Sequence, residues 1–199
     1  MPPRPGRKPV RLPPRNLAEL QLEETLLPAD GWVRLSWPGR ELYFSRNDEH
    51  RFSPEDGRYE VLYLTKDPFT AALETFGSRL YRKSARIPIS EWHARVLGSV
   101  QLPPLKVADL TFSAMAKARV TLGTLASCSR NVTHKWGRAV MDHPHTYHGL
   151  LYLSDYTGQT CLALFKVPGA PPPKLLGTQM FDSHPVSSQL LREYRVTLL

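Results

Sequence analysis

The sequence predicts an α+β domain in which a mixed, mainly antiparallel sheet is flanked by helices. Short apolar stretches bounded by turn residues recur along the chain, and segments between them carry apolar residues at helical spacing. These strands and helices do not alternate regularly, which argues against a doubly wound parallel sheet. The length of 199 residues, 41% of them hydrophobic, suits one domain that buries about two thirds of its unfolded surface.

The first fifteen residues predict a disordered tail before a folded domain of residues 16–199. They contain six prolines and five basic residues without an acid, so they supply +5 of the net charge of +8. Such a segment has too few apolar residues to form a core. The remaining charge is modest, and no predicted helix combines clustered basic residues with aromatics, which disfavours nucleic-acid binding.

A reducing, cytoplasmic location is expected for this chain. Its two cysteines, Cys128 and Cys161, lie far apart in the sequence and form no CxxC pair, which favours free thiols. No apolar run approaches the roughly 18–20 residues that a membrane span needs. The N-terminal residues also lack the apolar region of a secretory signal.

The first elements follow the predicted tail. Asn16 can cap a helix that runs through Leu27, because leucines recur along it and Pro28 follows. Residues 32–35 and 41–44 resemble two short strands joined by a turn that contains proline and glycine.

A strand and a helix in the middle of the chain have the clearest local signals. Val61–Leu64 is a short apolar strand. Asp67 is a good helix cap and Pro68 a good first helical residue, because proline has no N–H to lose there. Residues 82–93 that follow the helix are basic and read as irregular. The apolar positions at helical spacing are Phe69, Leu73, Phe76 and Leu80.

The second half of the chain predicts further strands and two helices. The predicted strands are 96–102, 105–110, 149–154, 160–167 and 194–199, and the predicted helices are 113–120 and 129–142. The strands 149–154 and 160–167 are strongly apolar, and a turn that contains Gly158 separates them. We therefore expect these two strands to pair.

Three side chains on successive elements can converge on one cleft. Arg51 precedes a turn, Tyr63 lies inside the predicted strand and Glu74 lies on the predicted helix. A cation, a phenol and a carboxylate can together hold a phosphorylated sugar and stabilise positive charge on it. Each residue has a structural alternative: a surface ion pair for Arg51, core packing for Tyr63 and a solvated helix face for Glu74.

The ordered set of motifs over residues 32–167 resembles the RES domain, a family of bacterial toxins named for its Arg, Glu and Ser. The matching pieces are Arg51–Phe52, Val61–Leu64, Asp67–Glu74, the segment 148–154 that ends in Ser154, and the strand that begins at Cys161. One departure is Asp155, which stands where the family usually has an Arg. No single piece is specific, and the resemblance depends on the ordered set with its spacings.

The resemblance implies an ADP-ribosyltransferase-like fold and an NAD phosphorylase or NAD glycohydrolase, which cuts the nicotinamide–ribose bond. NAD is then the substrate, and no cofactor or metal is expected. The resemblance makes Glu74, Arg51, Ser154 and Tyr63 the catalytic candidates. It assigns dinucleotide binding to Arg51, Tyr63 and Ser154, with Arg34 as a further phosphate ligand. The implied partner is a cognate antitoxin with a helix-turn-helix module, so any contact with nucleic acid would be indirect.

The sequence leaves the acceptor of the ribosyl group open. Phosphate, water or a protein side chain would each serve, and Arg79, Arg82 or Lys83 could supply a further anion site. The alternative functions are an ADP-ribosyltransferase that modifies a protein, and a basic nucleic-acid-binding or non-catalytic interaction protein. A metal site at His143, His145 and His148 is disfavoured, because no Cys or carboxylate pattern completes a ligand set.

Overall fold

The α+β class is confirmed by a computed structural model, which describes residues 11–47, 49–82, 84–126 and 130–199. The strands are β1 (Glu23–Leu26), β2 (Trp32–Ser36), β3 (Val61–Thr65), β4 (Arg86–Ile87), β5 (Val96–Gln101), β6 (Lys106–Asp109), β7 (Gly149–Leu153), β8 (Thr160–Phe165), β9 (Lys174–Met180) and β10 (Thr197–Leu198). The helices are α1 (Pro68–Leu80), α2 (Ile89–His93), α3 (Ala114–Lys117), α4 (Leu122–Ala126), α5 (Arg130–Met141) and α6 (Pro185–Glu193). None of these helices is long and apolar enough to cross a membrane.

Eight strands form one mixed sheet in the order β1-β6-β7-β8-β3-β2-β5-β9. The pair β6 and β7 is parallel, and the other neighbouring pairs of this sheet are antiparallel. β4 and β10 form a separate two-stranded parallel ladder. The mainly antiparallel sheet is therefore as predicted, and so is the antiparallel pairing of β7 with β8.

The central strands β7 and β8 are buried on both faces of the sheet. On one face, Cys161, Ala163 and Phe165 belong to the cluster that contains the fully buried Trp136 of α5. On the other face, Leu162 and Leu164 join a second apolar cluster that includes Val100 of β5. Because both faces are covered, these strands read as continuous apolar runs rather than as alternating ones.

A third apolar cluster packs α1, α2 and α6 against β2 and β5. Phe76 of α1 stacks on Trp92 of α2 with ring centroids 5.1 Å apart, and Phe181 contacts both rings. Aromatic packing of this kind fixes the rotation of α1 about its axis. The opposite side of α1 is left to face the cleft described below.

The prediction of one helix over residues 16–27 is wrong. A single 3-10 turn forms at Leu17–Glu19, and β1 then pairs antiparallel with β6 at the edge of the sheet. The leucines have a different pattern of burial from the predicted helix, since Leu22 and Leu27 are buried while Leu26 is 70% exposed. The hydrogen bonds available at the sheet edge outweigh the helix propensity of this segment.

The strand predicted over residues 41–44 is wrong, because Glu41 and Leu42 lie in a turn and the next two residues are irregular. The Tyr43 N–H donates to the Arg40 carbonyl at 3.2 Å, and the Glu41 side chain accepts from a backbone N–H in the same turn. The Tyr43 carbonyl accepts from Arg34 Nη1 at 2.7 Å. Local partners therefore take the backbone groups that a strand would need.

The structure also departs from the prediction after α1 and in the predicted N-terminal tail. Residues 82–93, predicted as irregular, contain β4 and α2, and the predicted last strand 194–199 is reduced to β10. Both β9 and α6 were missed. Arg11, placed in the predicted tail, contacts the domain here, because its carbonyl accepts from the Trp136 indole at 3.0 Å. Residues 1–10 lie outside the described residues, so their disorder stays a prediction.

Candidate active site

A cleft of about 540 Å³ opens where β2 and β3 diverge. These two strands pair at one position, Val33 with Thr65, whereas β2 pairs with β5 over residues 32–36. Beyond that position, Arg34 from β2 and Tyr63 from β3 both line the gap between the strands. The cleft has the volume of a small-molecule site, and residues of the sheet, of α1 and of the connecting loops line it.

Glu74 lines this cleft from the middle of α1. The helix begins as predicted: the Asp67 side chain accepts a first-turn N–H at 2.8 Å, and Pro68 takes the first helical position. Leu73 and Phe76 bury the other side of the helix. Among the described residues that line the cleft, Glu74 is the one with a carboxylate.

Ser154 holds the Glu74 carboxylate in place. It follows β7 directly, is 1% exposed, and donates from Oγ to Glu74 Oε1 at 2.6 Å. The same Oγ accepts the backbone N–H groups of Tyr156 and Thr157 at 3.2 and 3.4 Å. Because these donors occupy the lone pairs, the hydroxyl proton is directed at the carboxylate. Ser154 is thus a positioning residue in this structure, and its contact with a ligand stays a prediction.

The turn that follows β7 contacts one face of α1. One helical turn before the carboxylate, Thr70 Oγ1 lies 2.9 Å from Thr157 Oγ1. Near the C-terminal end of the helix, Gly77 faces the Tyr156 ring so closely that an added Cβ would lie 2.4 Å from it. The three contacts have i, i+4, i+7 spacing, which places them on one helical face. This face explains both the glycine and the fixed position of the Glu74–Ser154 hydrogen bond.

Replacing Ser154 with Ala is expected to lower kcat for the reaction proposed below by about 10-fold or more, because a hydrogen bond to a charged group contributes about 1.5–3 kcal/mol. KM should change little, since Ser154 lies behind the carboxylate rather than on the cleft wall. Steady-state kinetics check this. Thr70→Ala is the matched control, because it removes a hydrogen bond from the same turn without touching Glu74. Equal effects of the two variants would contradict the positioning role.

Arg51 carries a buried donor without a partner. Its Nη1 atom is buried and makes no hydrogen bond with the described residues. Its Cζ lies 5.6 Å from the centre of the Tyr152 ring, which packs beside the guanidinium. A buried cationic donor is costly unless something accepts from it. Since Arg51 lines the cleft, the acceptor that suits it is an anionic group of a ligand.

Tyr63 supports the backbone beside Arg51. Its hydroxyl accepts the Phe52 N–H at 2.9 Å and lies 3.3 Å from Ser53 Oγ. Burial raises the pKa of Tyr63 to about 12, so the hydroxyl stays neutral. The structure therefore brings Tyr63 into the cleft wall as a support for the Arg51 loop. Stacking of its ring on nicotinamide stays a prediction.

Arg34, the predicted second phosphate ligand, also lies in the cleft wall. Its Nη1 donates to the Tyr43 carbonyl at 2.7 Å, which fixes the guanidinium. Burial lowers the pKa of Arg34 to about 10, so the group still carries its charge at neutral pH. Four of the five predicted residues thus line one cleft, and Ser154 contacts it through Glu74.

Sequence reasoning missed three arginines of the cleft, Arg40, Arg95 and Arg130. They come from the loop after β2, from the residue before β5 and from the first residue of α5. No motif links these positions, and the fold alone brings them together. With Arg34 and Arg51, five guanidinium groups among the described residues line the same cleft as one carboxylate. This charge distribution favours a ligand with more than one negative charge.

His50 was also missed, although it is adjacent to Arg51. It lines the cleft, and its ring centroid lies 5.5 Å from that of Tyr63. Burial, together with the charges of Arg34 and Arg130, lowers the pKa of His50. The imidazole is therefore neutral at pH 7 and can accept or donate a hydrogen bond.

The other reactive side chains are occupied elsewhere. His143 Nε2 lies 3.1 Å from a backbone carbonyl of the N-terminal 3-10 turn, and His145 Nδ1 lies 2.9 Å from Glu24 Oε1. Within the ranges that the structure describes, no group of three His, Cys, Asp or Glu side chains is arranged to hold a metal. Cys161 is a free, buried thiol whose pKa is raised by burial. Cys128 lies outside the described residues.

Comparisons with known proteins show which proteins this chain is similar to. The family model for the RES domain matches residues 29–175, which include the cleft residues described above. A chain in the crystal structure of the M. tuberculosis MbcT–MbcA toxin–antitoxin complex has a similar fold. The TM-score is 0.65 at 17% identity, over 85% of this chain and 92% of that chain. No curated protein matches this sequence. Because the matched segment covers most of the chain, this protein belongs to the RES-domain family.

Proposed function

We propose that this protein is the toxin of a toxin–antitoxin pair and that it degrades NAD by cutting the nicotinamide–ribose bond. The observation that carries the proposal is the Glu74 carboxylate, which a buried serine holds inside an otherwise basic cleft. Membership of the RES-domain family supports an NAD-processing enzyme and a toxin role.

The arginines suit the pyrophosphate of NAD. Each guanidinium presents a planar set of donors that matches phosphate oxygens. Arg51 is the strongest candidate, because its buried Nη1 has no acceptor within the described residues. Arg34 is the second, because the Tyr43 carbonyl already fixes its orientation. Preorganised donors of this kind bind without first losing conformational freedom.

Glu74 suits the ribose that becomes cationic. The bond between ribose C1′ and the nicotinamide nitrogen breaks with its electron pair going to nitrogen, so the cationic pyridinium leaves as neutral nicotinamide. The leaving group therefore needs no general acid, and positive charge develops on the sugar. A fixed carboxylate beside the sugar stabilises this charge more in the transition state than in the substrate.

The acceptor then forms a new bond to C1′. Water gives ADP-ribose, inorganic phosphate gives the 1-phosphate of ADP-ribose, and a protein side chain gives a modified protein. Phosphate would need its own cationic contacts, and Arg130 and Arg40 are available in the cleft wall. The predicted Arg79 is less suitable, because it makes two 2.6 Å hydrogen bonds to Glu91. Lys83 lies outside the described residues.

An antitoxin partner is part of the proposal. The solved structure similar in fold is that of a toxin–antitoxin complex. An enzyme that consumes NAD inside the cytoplasm must be restrained in the cell that makes it. The simplest restraint is a protein that covers the cleft, and a helix-turn-helix module in that protein would account for any contact with DNA.

The test is to incubate the purified protein with NAD, with and without phosphate, and to identify the products by mass spectrometry. We expect release of nicotinamide together with ADP-ribose or its 1-phosphate. Dependence of the rate on phosphate would identify the phosphorylase. Transfer of ADP-ribose to added protein would instead support the protein-modifying alternative. Absence of nicotinamide release under all of these conditions would contradict the proposal.

A further inference from the structure

One indole lies exposed at the cleft. Trp32, Trp92 and Trp136 are at most 1% exposed, whereas Trp37 is 40% exposed. Trp37 follows β2 directly and lines the same cleft as Glu74. Its flat apolar surface is therefore accessible to a ligand.

Arg95 fixes one face of the Trp37 ring. Its Cζ lies 4.0 Å from the ring centroid, which is a cation–π contact. Glu91 holds the Arg95 guanidinium at 2.8 Å and also binds Arg79. These hydrogen bonds, chiefly those from Arg79, lower the pKa of Glu91 to about 2, so the carboxylate stays ionised. The indole is thus preorganised, with a supported face against Arg95.

We propose that the exposed surface of Trp37 stacks on the adenine ring of NAD, an inference that rests on the proposed function. Adenine is neutral and presents a flat π surface, and bases of this kind stack on aromatic side chains. The nicotinamide ring of NAD carries a positive charge instead. That charge is disfavoured on an indole whose supported face already binds the Arg95 cation.

The position of Trp37 relative to Arg34 supports this assignment. Arg34 lies in β2 and Trp37 lies at the bend that follows it, three positions later, so their Cα atoms can be at most about 11 Å apart. A ribose and a purine can span such a distance from a phosphate held by Arg34. Tyr152 and Tyr156 line the cleft near Glu74, so they are closer to the expected nicotinamide end.

Acrylamide quenching of tryptophan fluorescence tests the contact without requiring turnover. Since the other three tryptophans are buried, this small neutral quencher reports mainly on Trp37. In the Glu74→Gln protein, saturating AMP should lower the quenching toward the level of a protein that also carries Trp37→Phe. Nicotinamide mononucleotide, the matched ligand without adenine, should leave the quenching unchanged. Absence of shielding by AMP, or equal shielding by both mononucleotides, would overturn the proposal.

Kinetics give the second test. Trp37→Ala should raise KM for NAD by about 10-fold with kcat retained, because stacking contributes uniform binding. Trp37→Phe should keep most of the affinity, and kcat/KM for nicotinamide mononucleotide should not change in either variant. An equal loss with NAD and with the mononucleotide would contradict an adenine contact. If the wild-type protein leaves NAD intact while AMP still shields Trp37, the proposed function fails and the adenine site stands.

Discussion

Replacing Glu74 with Gln is expected to lower kcat for NAD cleavage by about 100-fold to 1000-fold, since removing one preorganised electrostatic contact has an effect of that order. The Gln side chain keeps the shape of Glu, and its amide oxygen can still accept the Ser154 hydrogen bond that is 2.6 Å long in the native protein. The variant therefore removes the charge and keeps the geometry. The rate of nicotinamide release at saturating NAD measures the effect.

The control for this prediction is Glu193→Gln on α6. Glu193 is exposed, accepts a hydrogen bond from Gln189 at 2.9 Å and lies outside the cleft wall, so its replacement should leave the rate unchanged. A folded Glu74→Gln protein that releases nicotinamide at nearly the native rate would remove Glu74 from the mechanism. Shielding of Trp37 by AMP in the same protein would show that its cleft is intact.

The sequence predicted the elements whose signals are local. The Asp67 cap and Pro68 define the start of α1 within a few residues, and the observed cap bond is the one expected there. The apolar runs of β7 and β8 predicted both strands and their pairing, because a buried strand needs apolar residues on both faces. The resemblance to the RES-domain family then identified Arg51, Glu74 and Ser154 together as site residues, which no single sequence pattern does.

The wrong assignments come from segments whose structure depends on distant partners. The leucines between residues 16 and 27 suit a helix, but β6 offers a sheet edge that lies 80 or more positions away in the sequence. β9 was missed because its residues are mostly exposed and show no clear alternation. Its strand conformation comes from antiparallel pairing with β5.

Residues of the site that depend on distant parts of the chain were likewise not predicted. Arg95 precedes β5 and Arg130 begins α5, two segments that the sequence gives no reason to combine, yet both side chains line the cleft. The Ser154 hydroxyl was expected near the ligand, yet it is directed at Glu74 by two backbone donors of its own turn. Hydrogen bonds of this kind depend on the direction of each side chain, which residue spacing alone does not determine.

Replacing Arg51 with Met is expected to lower kcat/KM for NAD by about 30-fold or more, because removing one partner of a buried, hydrogen-bonded charge pair costs about 2–5 kcal/mol. The thermal midpoint should rise in the absence of ligand. Native Arg51 buries a donor without an acceptor among the described residues, which costs about 1–3 kcal/mol. The variant also loses the contact with the Tyr152 ring, which offsets about 0.5–1 kcal/mol of the stability gained by removing the unpaired donor.

A fall in kcat/KM together with a rise in Tm would identify Arg51 as a ligand contact rather than a structural one. A net gain of about 1 kcal/mol corresponds to a rise of about 2–4 °C in Tm for a chain of this size. Arg58→Met is the matched control, because Arg58 pairs with Asp56 at 2.9 Å at the surface and lies outside the cleft wall. It should change neither kcat/KM nor Tm appreciably. If Arg51→Met lowered Tm and activity together, the guanidinium would be supporting the fold, and the pyrophosphate would have to bind to the other arginines of the cleft.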